Sequence, residues 1–196
     1  MSTLKVDTIL KRTGTGTITV GQSGDTITIP SGATLNSAGT NTLEGISNTP
    51  AFDARASSNQ TGLTSGGWTK VQFDTELFDT DSAYDNVNDK FTVPSGKAGK
   101  YYFTTFAKIN SAGGSATLLG SGMRFHKNGS NVKESIHFIA NGANSAEGKG
   151  VSCVLDLAVS DYIEVYAYYQ DNGGGTGSIT GNTDFDTFFT GYKLIG

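Results

Sequence analysis

The chain has 196 residues, among them 27 glycines, 3 prolines and one cysteine, with a formal net charge of −4. That balance provides no basic stripe to release phosphate counterions, which argues against nucleic-acid binding, and one cysteine cannot form an intrachain disulfide. No run approaches the roughly 18 apolar residues of a membrane span, and the opening MSTLKVDTILKR lacks the apolar stretch of a signal peptide. The expectation is a soluble protein made in the cytoplasm, free to leave in a particle or by lysis.

Glycine, serine, threonine and asparagine punctuate short runs of valine, isoleucine, phenylalanine and tyrosine, the pattern of an all-β chain. The first 46 residues are small, polar and repetitive. Ile18 and Val20 alternate with Thr17 and Thr19, and nine residues later Ile27 and Ile29 alternate with Thr26 and Thr28. Leu35 follows the Pro30-Ser31-Gly32 turn, and Leu4, Val6 and Ile9 sketch an earlier, looser copy. The spacing predicts short strands stacked as rungs with one apolar side each. Rungs of one chain cannot bury enough surface to offset the entropy of ordering them. Residues 1–46 therefore read as a fibrous stem that orders within a trimer or against a larger structure, and 47–196 as the head, entered through ISNTPA with Pro50 setting an extended approach.

In the head the first strand surrounds Phe52, and a polar loop runs from Ser57 to Gly67. Trp68, Val71, Phe73, Leu77 and Phe78 follow on short strands, with Trp68 read as packing under that loop. The stretch from Tyr84 to Phe103, YDNVNDKFTVPSGKAGKYYF, organises the rest. Phe91 and Val93 mark one strand, Pro94-Ser95-Gly96 breaks it, and Tyr101, Phe103, Ala107 and Ile109 share one face of the next. Tyr102 and Phe106 occupy the opposite face. A sheet wetted on one side does not carry aromatics on both, so that second face should meet another copy of the chain. A loop from Asn110 to Ala116 comes before Leu118–Phe125, Asn128-Gly129 turns a hairpin into Val132–Ile139, and Ala140 to Gly150 reads as a further loop. Val151–Leu157 carries Cys153, expected to be a small buried hydrophobe. On Tyr162–Tyr169 the tyrosines Tyr162, Tyr166 and Tyr168 face away from Ile163, Val165 and Ala167 and repeat the two-sided pattern. Asp171 to Asp184 is a long glycine-rich loop before the closing strand, Phe185 to Ile195.

Phe52-x-Ala54, Phe73-Asp74, Lys90-Phe91-x-x-Pro94, Gly99-x-Tyr101-x-Phe103, Asn128-Gly129, Val154-x-Asp156-Leu157 and Phe189-Thr190-Gly191-Tyr192 stand in an order that resembles the globular head of complement C1q and its relatives of the tumour-necrosis-factor type. The resemblance covers roughly three quarters of the chain and implies a ten-stranded jelly-roll sandwich assembling as a homotrimer through an aromatic-rich sheet. Ser160-Asp161 departs from the family's usual Gly-Asp, and the collagen-like stalk is missing. The wording of the stem, MSTLKVDTI and then GTGTITVGQSGDTITIPSGATLNSAGT, resembles the opening of virion structural proteins of tailed marine phages, cyanophages especially.

His126 and His137 flank the hairpin without a carboxylate or a nucleophile at a recognisable spacing. Asp79, Asp81, Asp85 and Asp89 fail the calcium-loop spacing and read as solvated turn residues. Gly96-Lys97 is no phosphate loop. No active site, cofactor or metal is expected. Tyr102, Phe106, Tyr162, Tyr166 and Tyr168 are expected at the trimer interface. In the family's fold both chain ends share one pole, which implies that Asn59, Gln60 and Thr61 in one loop and Asp171, Asn172, Asn182 and Asp184 in another face outward from the opposite pole. Their side chains suit a hydroxyl-rich glycan or a protein on a host surface. The sequence thus reads as a non-enzymatic phage virion protein, a trimeric tail fibre or appendage held to other virion proteins by residues 1–46. The alternative is a capsid decoration or head-fibre connector with a purely structural role.

Overall fold

The computed structural model describes residues 19–34, 48–111, 117–139, 144–172, 175–182 and 186–194. Leu4, Val6, Ile9, Ile18, Leu35 and Asp184 lie outside them. The chain separates into two units, Met1–Leu43 and Glu44–Gly196. Within 19–34 the backbone makes two turns, Asp25 N–H donating to Gln22 O at 3.0 Å and Ala33 N–H to Pro30 O at 3.0 Å. The rungs expected around Ile27 and Ile29 are not formed there. A short strand needs a partner edge and a covered face, and in this single chain Val20, Ile27 and Ile29 are 61, 60 and 48% exposed.

The second unit is built of thirteen strands: β1 (Ala51–Arg55), β2 (Gln60–Leu63), β3 (Gly67–Lys70), β4 (Thr75–Asp79), β5 (Tyr84–Asp85), β6 (Lys90–Thr92), β7 (Gly99–Asn110), β8 (Leu118–Lys127), β9 (Ser130–Phe138), β10 (Ala146–Leu157), β11 (Tyr162–Asp171), β12 (Gly177–Ile179) and β13 (Phe188–Lys193). They form two antiparallel sheets. One runs β2-β12-β7-β13-β1-β4 with β10 on the other edge of β7; the other runs β5-β6-β11-β8-β9 with β3 beside β6 on β11. The extra strands arise where the sequence suggested loops. β2 lies inside Ser57–Gly67, β12 inside Asp171–Asp184, and β10 begins at Ala146, within the expected Ala140–Gly150 loop.

Alternation decides which residues enter the core. On β7 Tyr101, Phe103, Thr105, Ala107 and Ile109 are buried, while on β11 Ile163, Val165, Ala167 and Tyr169 are. The Pro94-Ser95-Gly96 turn does not join neighbours in one sheet. β6 pairs with β5 and β11, whereas β7 belongs to the other sheet, so Phe91 meets Tyr101 and Phe103 across the core at 5.4 and 5.3 Å. Phe52 sits among Tyr84, Phe91 and Phe189 at 5.1, 5.2 and 4.8 Å between ring centres. Each such pair adds about 0.5–1.5 kcal/mol beyond the burial of its area.

Two sequence features gain a physical reason. In Phe189-Thr190-Gly191-Tyr192 the glycine backs onto a ring, since a Cβ there would lie 2.4 Å from Phe103. In the turn after β10, Ser160 takes φ +69°, a left-handed conformation that glycine adopts without cost, which is the consequence of the Ser160-Asp161 pair. Asp161 ties this turn to the Asn128-Gly129 hairpin. Its carboxylate accepts from Asn128 Nδ2 at 2.7 Å, from Ala158 N–H at 2.8 Å and from Lys127 Nζ at 2.8 Å. The lysine and the amide donors hold its carboxyl down at about 2.

Gly191→Ala is expected to cost about 1–3 kcal/mol of stability by crowding Phe103, read from a urea unfolding midpoint. A carboxyl whose folded pKa is depressed stabilises above its unfolded value and loses that contribution as pH falls. The gap in unfolding temperature between the wild type and Asp161→Ala should therefore be full near neutrality and close between pH 4 and 2.

Candidate functional site

β7 fixes the poles of the head. Beside its first residues lie both ends of the head segment: Lys193 N–H donates to Pro50 O at 3.0 Å, Leu194 N–H to Lys100 O at 2.8 Å, and Lys97 Nζ to Thr49 Oγ1 at 3.0 Å. At its other end Asn110 and Ile109 pair with Ser178 and Ile179 of β12, which pairs in turn with β2. Twelve strand residues separate the two ends by about 36 Å.

Ile179 and Leu63, both fully buried, anchor this far corner. Alternation then turns Thr61, Ser178 and Asn110 to the outside in one cross-strand row. With Asn59, Ser111, Thr176, Gly177 and Thr180 they line a recess that contains amides, hydroxyls and, among the described residues, no charged side chain. Asn110 Nδ2 donates to Thr180 Oγ1 at 2.8 Å, and Asn59 Oδ1 accepts from Gly181 N–H at 2.9 Å, so the recess wall is held by its own hydrogen bonds. Such a lining can receive a neutral hydroxyl-rich ligand by directional hydrogen bonds.

The expected contact residues divide. Asn59 and Thr61 line the recess. Gln60 does not, because its amide is spent inward, donating to Lys70 O at 2.8 Å and accepting from Gln72 N–H at 3.0 Å. Asp171 is buried, with Thr117 Oγ1 donating to its carboxylate at 2.6 Å and Ser65 Oγ accepting from its N–H at 3.0 Å. It anchors the segment rather than presenting it. Asn172 is exposed, and Asn182 Nδ2 donates to Asp186 at 3.1 Å. Asn110, Ser178 and Thr180 went unnoticed in the sequence, because only the pairing of β2 with β12 brings them to one place.

The aromatic residues assigned to a single interface lie on two opposite surfaces. Tyr102 and Phe106 are on the outer face of the seven-stranded sheet, beside Tyr192 at 5.5 Å and Phe188 at 6.3 Å between ring centres. Phe78 and Val154, 50 and 55% exposed, extend that face. Between its two aromatic rows runs a polar one, Asp53, Thr190, Thr104 and Ser152, opposite one another in register. Burial raises the Asp53 carboxyl above the ordinary range. Tyr162, Tyr166 and Tyr168 stand on β11, on the outer face of the other sheet. No single flat contact covers both sets.

His137 Nδ1 meets Glu147 at 2.8 Å, and His126, buried and stacked on Tyr166 at 4.2 Å, is depressed in pKa by that burial. The two histidines pair at distant registers of β8 and β9 and do not converge. Asp79 accepts from Tyr84 N–H at 2.8 Å, Asp85 from Asn88 N–H at 2.9 Å, and Asp89 from Phe73 N–H at 2.8 Å, so these carboxylates hold turns. Burial pushes the Cys153 thiol up to about 11, keeping it protonated at neutral pH.

A family model described as the C1q domain matches residues 51–194. The globular domain of zebrafish complement 1qA protein superposes with a TM-score of 0.51 at 16% identity, covering 74% of this chain and 97% of its own. Two crystal structures of murine APRIL superpose with TM-scores of 0.53 and 0.52, each at 13% identity, covering 74% of this chain and 98% of theirs. At these identities the likeness is one of fold. No curated protein matches the sequence.

Removing the buried carboxylate in Asp171→Ala should cost about 1.5–3 kcal/mol, while the exposed Asn172→Ala should stay within about 0.5 kcal/mol of the wild type in urea denaturation.

Proposed function

Because the chain belongs to the C1q domain family, whose generally non-enzymatic domains typically form homotrimers, we propose that it is a trimeric virion structural protein, a phage tail fibre or appendage. In this reading the head contacts a host surface and residues 1–46 join it to other virion proteins. The observation that carries the proposal is the outer face of the seven-stranded sheet. Phe78, Tyr102, Phe106, Val154, Phe188 and Tyr192 gather there with the core already filled from the inner face. Burying a phenylalanine of such a face contributes about 1.5–3 kcal/mol. Three copies placing that face toward a common axis remove it from water. The stem's wording supports the virion setting, and Val20, Ile27 and Ile29, open to solvent in one chain, gain a partner surface when three stems run side by side.

Both ends of the head segment lie at one end of β7, and the polar recess stands at the other. Three recesses per head and several fibres per particle convert weak contacts into lasting attachment, a gain on the order of 100- to 10,000-fold without any new contact. The ligand such a lining favours is a neutral, hydroxyl-rich glycan.

Phe106→Glu places a charged carboxylate in the face proposed to lose its water, where desolvation opposes it. The variant should elute from gel filtration as a smaller species than the wild type, with its β-sheet circular dichroism kept; unchanged elution would remove the interface from this face. An electron-microscopy map of the particle tests the rest. A head projecting outward supports attachment, and a head packed against the capsid makes the chain a decoration or connector.

A further inference from the structure

Trp68, expected beneath a loop, stands on β3 at the outer face of the six-stranded sheet. The cross-strand registers lay three rows over this face: Gln170, Gly120 and Phe138; Trp68, Tyr168, Gly122 and Ile136; Lys70, Tyr166, Arg124 and Glu134. Where β8 carries Gly120 and Gly122 it has no side chain to lift its neighbours. A Cβ at Gly120 would come within 3.0 Å of the Phe138 ring, and one at Gly122 within 3.1 Å of Ile136. Phe138 therefore lies across β8 and meets Tyr168 edge-to-face at 6.1 Å, and Tyr168 meets Trp68 at 5.3 Å. The outcome is an aromatic strip from β3 to β9 with Phe138 60% exposed.

Beside this strip stands Arg124, its guanidinium 4.1 Å from the centre of the Trp68 ring and 5.6 Å from that of Tyr166. Its Nε is sealed from water and has no hydrogen-bond acceptor. Glu134, the residue opposite on β9, makes no hydrogen bond to it; Glu134 Oε2 accepts from Asn131 Nδ2 at 2.7 Å. Lys70 in the same row is spent, donating to Glu164 at 2.7 Å and to Asn88 O at 2.6 Å. Among the described residues no carboxylate forms an ion pair with Arg124. The arginine is a planar donor fork, fixed by stacking, that feels the charge of Glu134 without closing an ion pair with it.

We propose that this face is a binding site for an acidic saccharide: the sugar carboxylate takes the Arg124 fork, and the C–H face of the pyranose ring lies on Tyr168 and Phe138. Both halves of that ligand are required. A purely apolar partner would take water from the guanidinium without supplying an acceptor, and a bare anion would leave the strip in water. Arginine presents paired N–H groups that match a carboxylate two-for-two, which a hydroxyl does not reproduce. Glu134 and the Gln170 side chain stand at opposite ends of β8's uncovered stretch, placed to meet ring hydroxyls. An apolar surface with a few convergent polar groups is the ordinary make-up of a small-ligand site.

The site lies on the sheet opposite the one proposed to self-associate, and it stands or falls independently of the recess. Trp68 is the only tryptophan, so its fluorescence reports on this face alone. The full chain is titrated with methyl β-D-glucuronide and, separately, with methyl β-D-glucoside, which shares the ring and lacks the carboxylate. The glucuronide should give a saturable change, and the glucoside should bind at least about tenfold more weakly. Arg124→Gln should abolish the preference, Arg124→Lys should keep less than half of it in fold terms, and Asn59→Ala in the recess should leave it untouched. If Arg124→Gln fails to fold by circular dichroism, the two sugars on the wild type decide alone. Equal responses, or none from either sugar, overturn the proposal.

Discussion

Strand β7 carries aromatic residues on both faces, and a two-layered sandwich has only one interior. Its odd-numbered residues complete the aromatic core with Phe52, Phe91 and Phe189, while Tyr102 and Phe106 on the other side join Phe188, Tyr192 and Val154 on a surface that faces water in the isolated chain. A domain of this size gains its stability by covering one face of each sheet and leaving the other wet. The seven-stranded sheet departs from that arrangement, and the case for self-association follows from it. The central row of Asp53, Thr190, Thr104 and Ser152 adds a constraint. A half-buried carboxylate among hydroxyls restricts which surface can approach, because each polar group there needs a partner once water leaves.

The family was legible before the fold was seen because its motifs are the pieces of this core. Phe52-x-Ala54 and Phe189-x-Gly191 are neighbours across β1 and β13, and Gly191 is small because Phe103 lies against it. The long strands follow from alternation alone: the inward residues of β7 and β11 are those the pattern selects. The short strands were hidden. β2 and β12 each have few residues and polar sequences, and they become strands only by pairing with each other and with the end of β7, a long-range event that composition does not signal. The same pairing buries Asp171 and turns Gln60 inward, two residues whose polar character suggested exposure.

Pattern also could not say which sheet a strand joins. Tyr102 and Tyr166 look alike in sequence, each an aromatic facing away from a buried row, yet they end on opposite sides of the head. One side has aromatics flanking a row of carboxylate and hydroxyls. The other has a stacked arginine at the border of an aromatic strip. These are different chemistries, consistent with one surface taken up by self-association and another left to a ligand. The polar recess at the end of β7 is a third surface, remote from where the chain enters the head, and it owes its neutrality to a lining of asparagine, serine and threonine.

Sedimentation equilibrium of the full chain at micromolar concentration tests the central claim most directly. The account predicts a mass three times that of the 20.4 kDa chain, persisting on dilution through the micromolar range. A stable single-chain mass under those conditions would mean that Tyr102, Phe106 and their neighbours remain in water, and would contradict it.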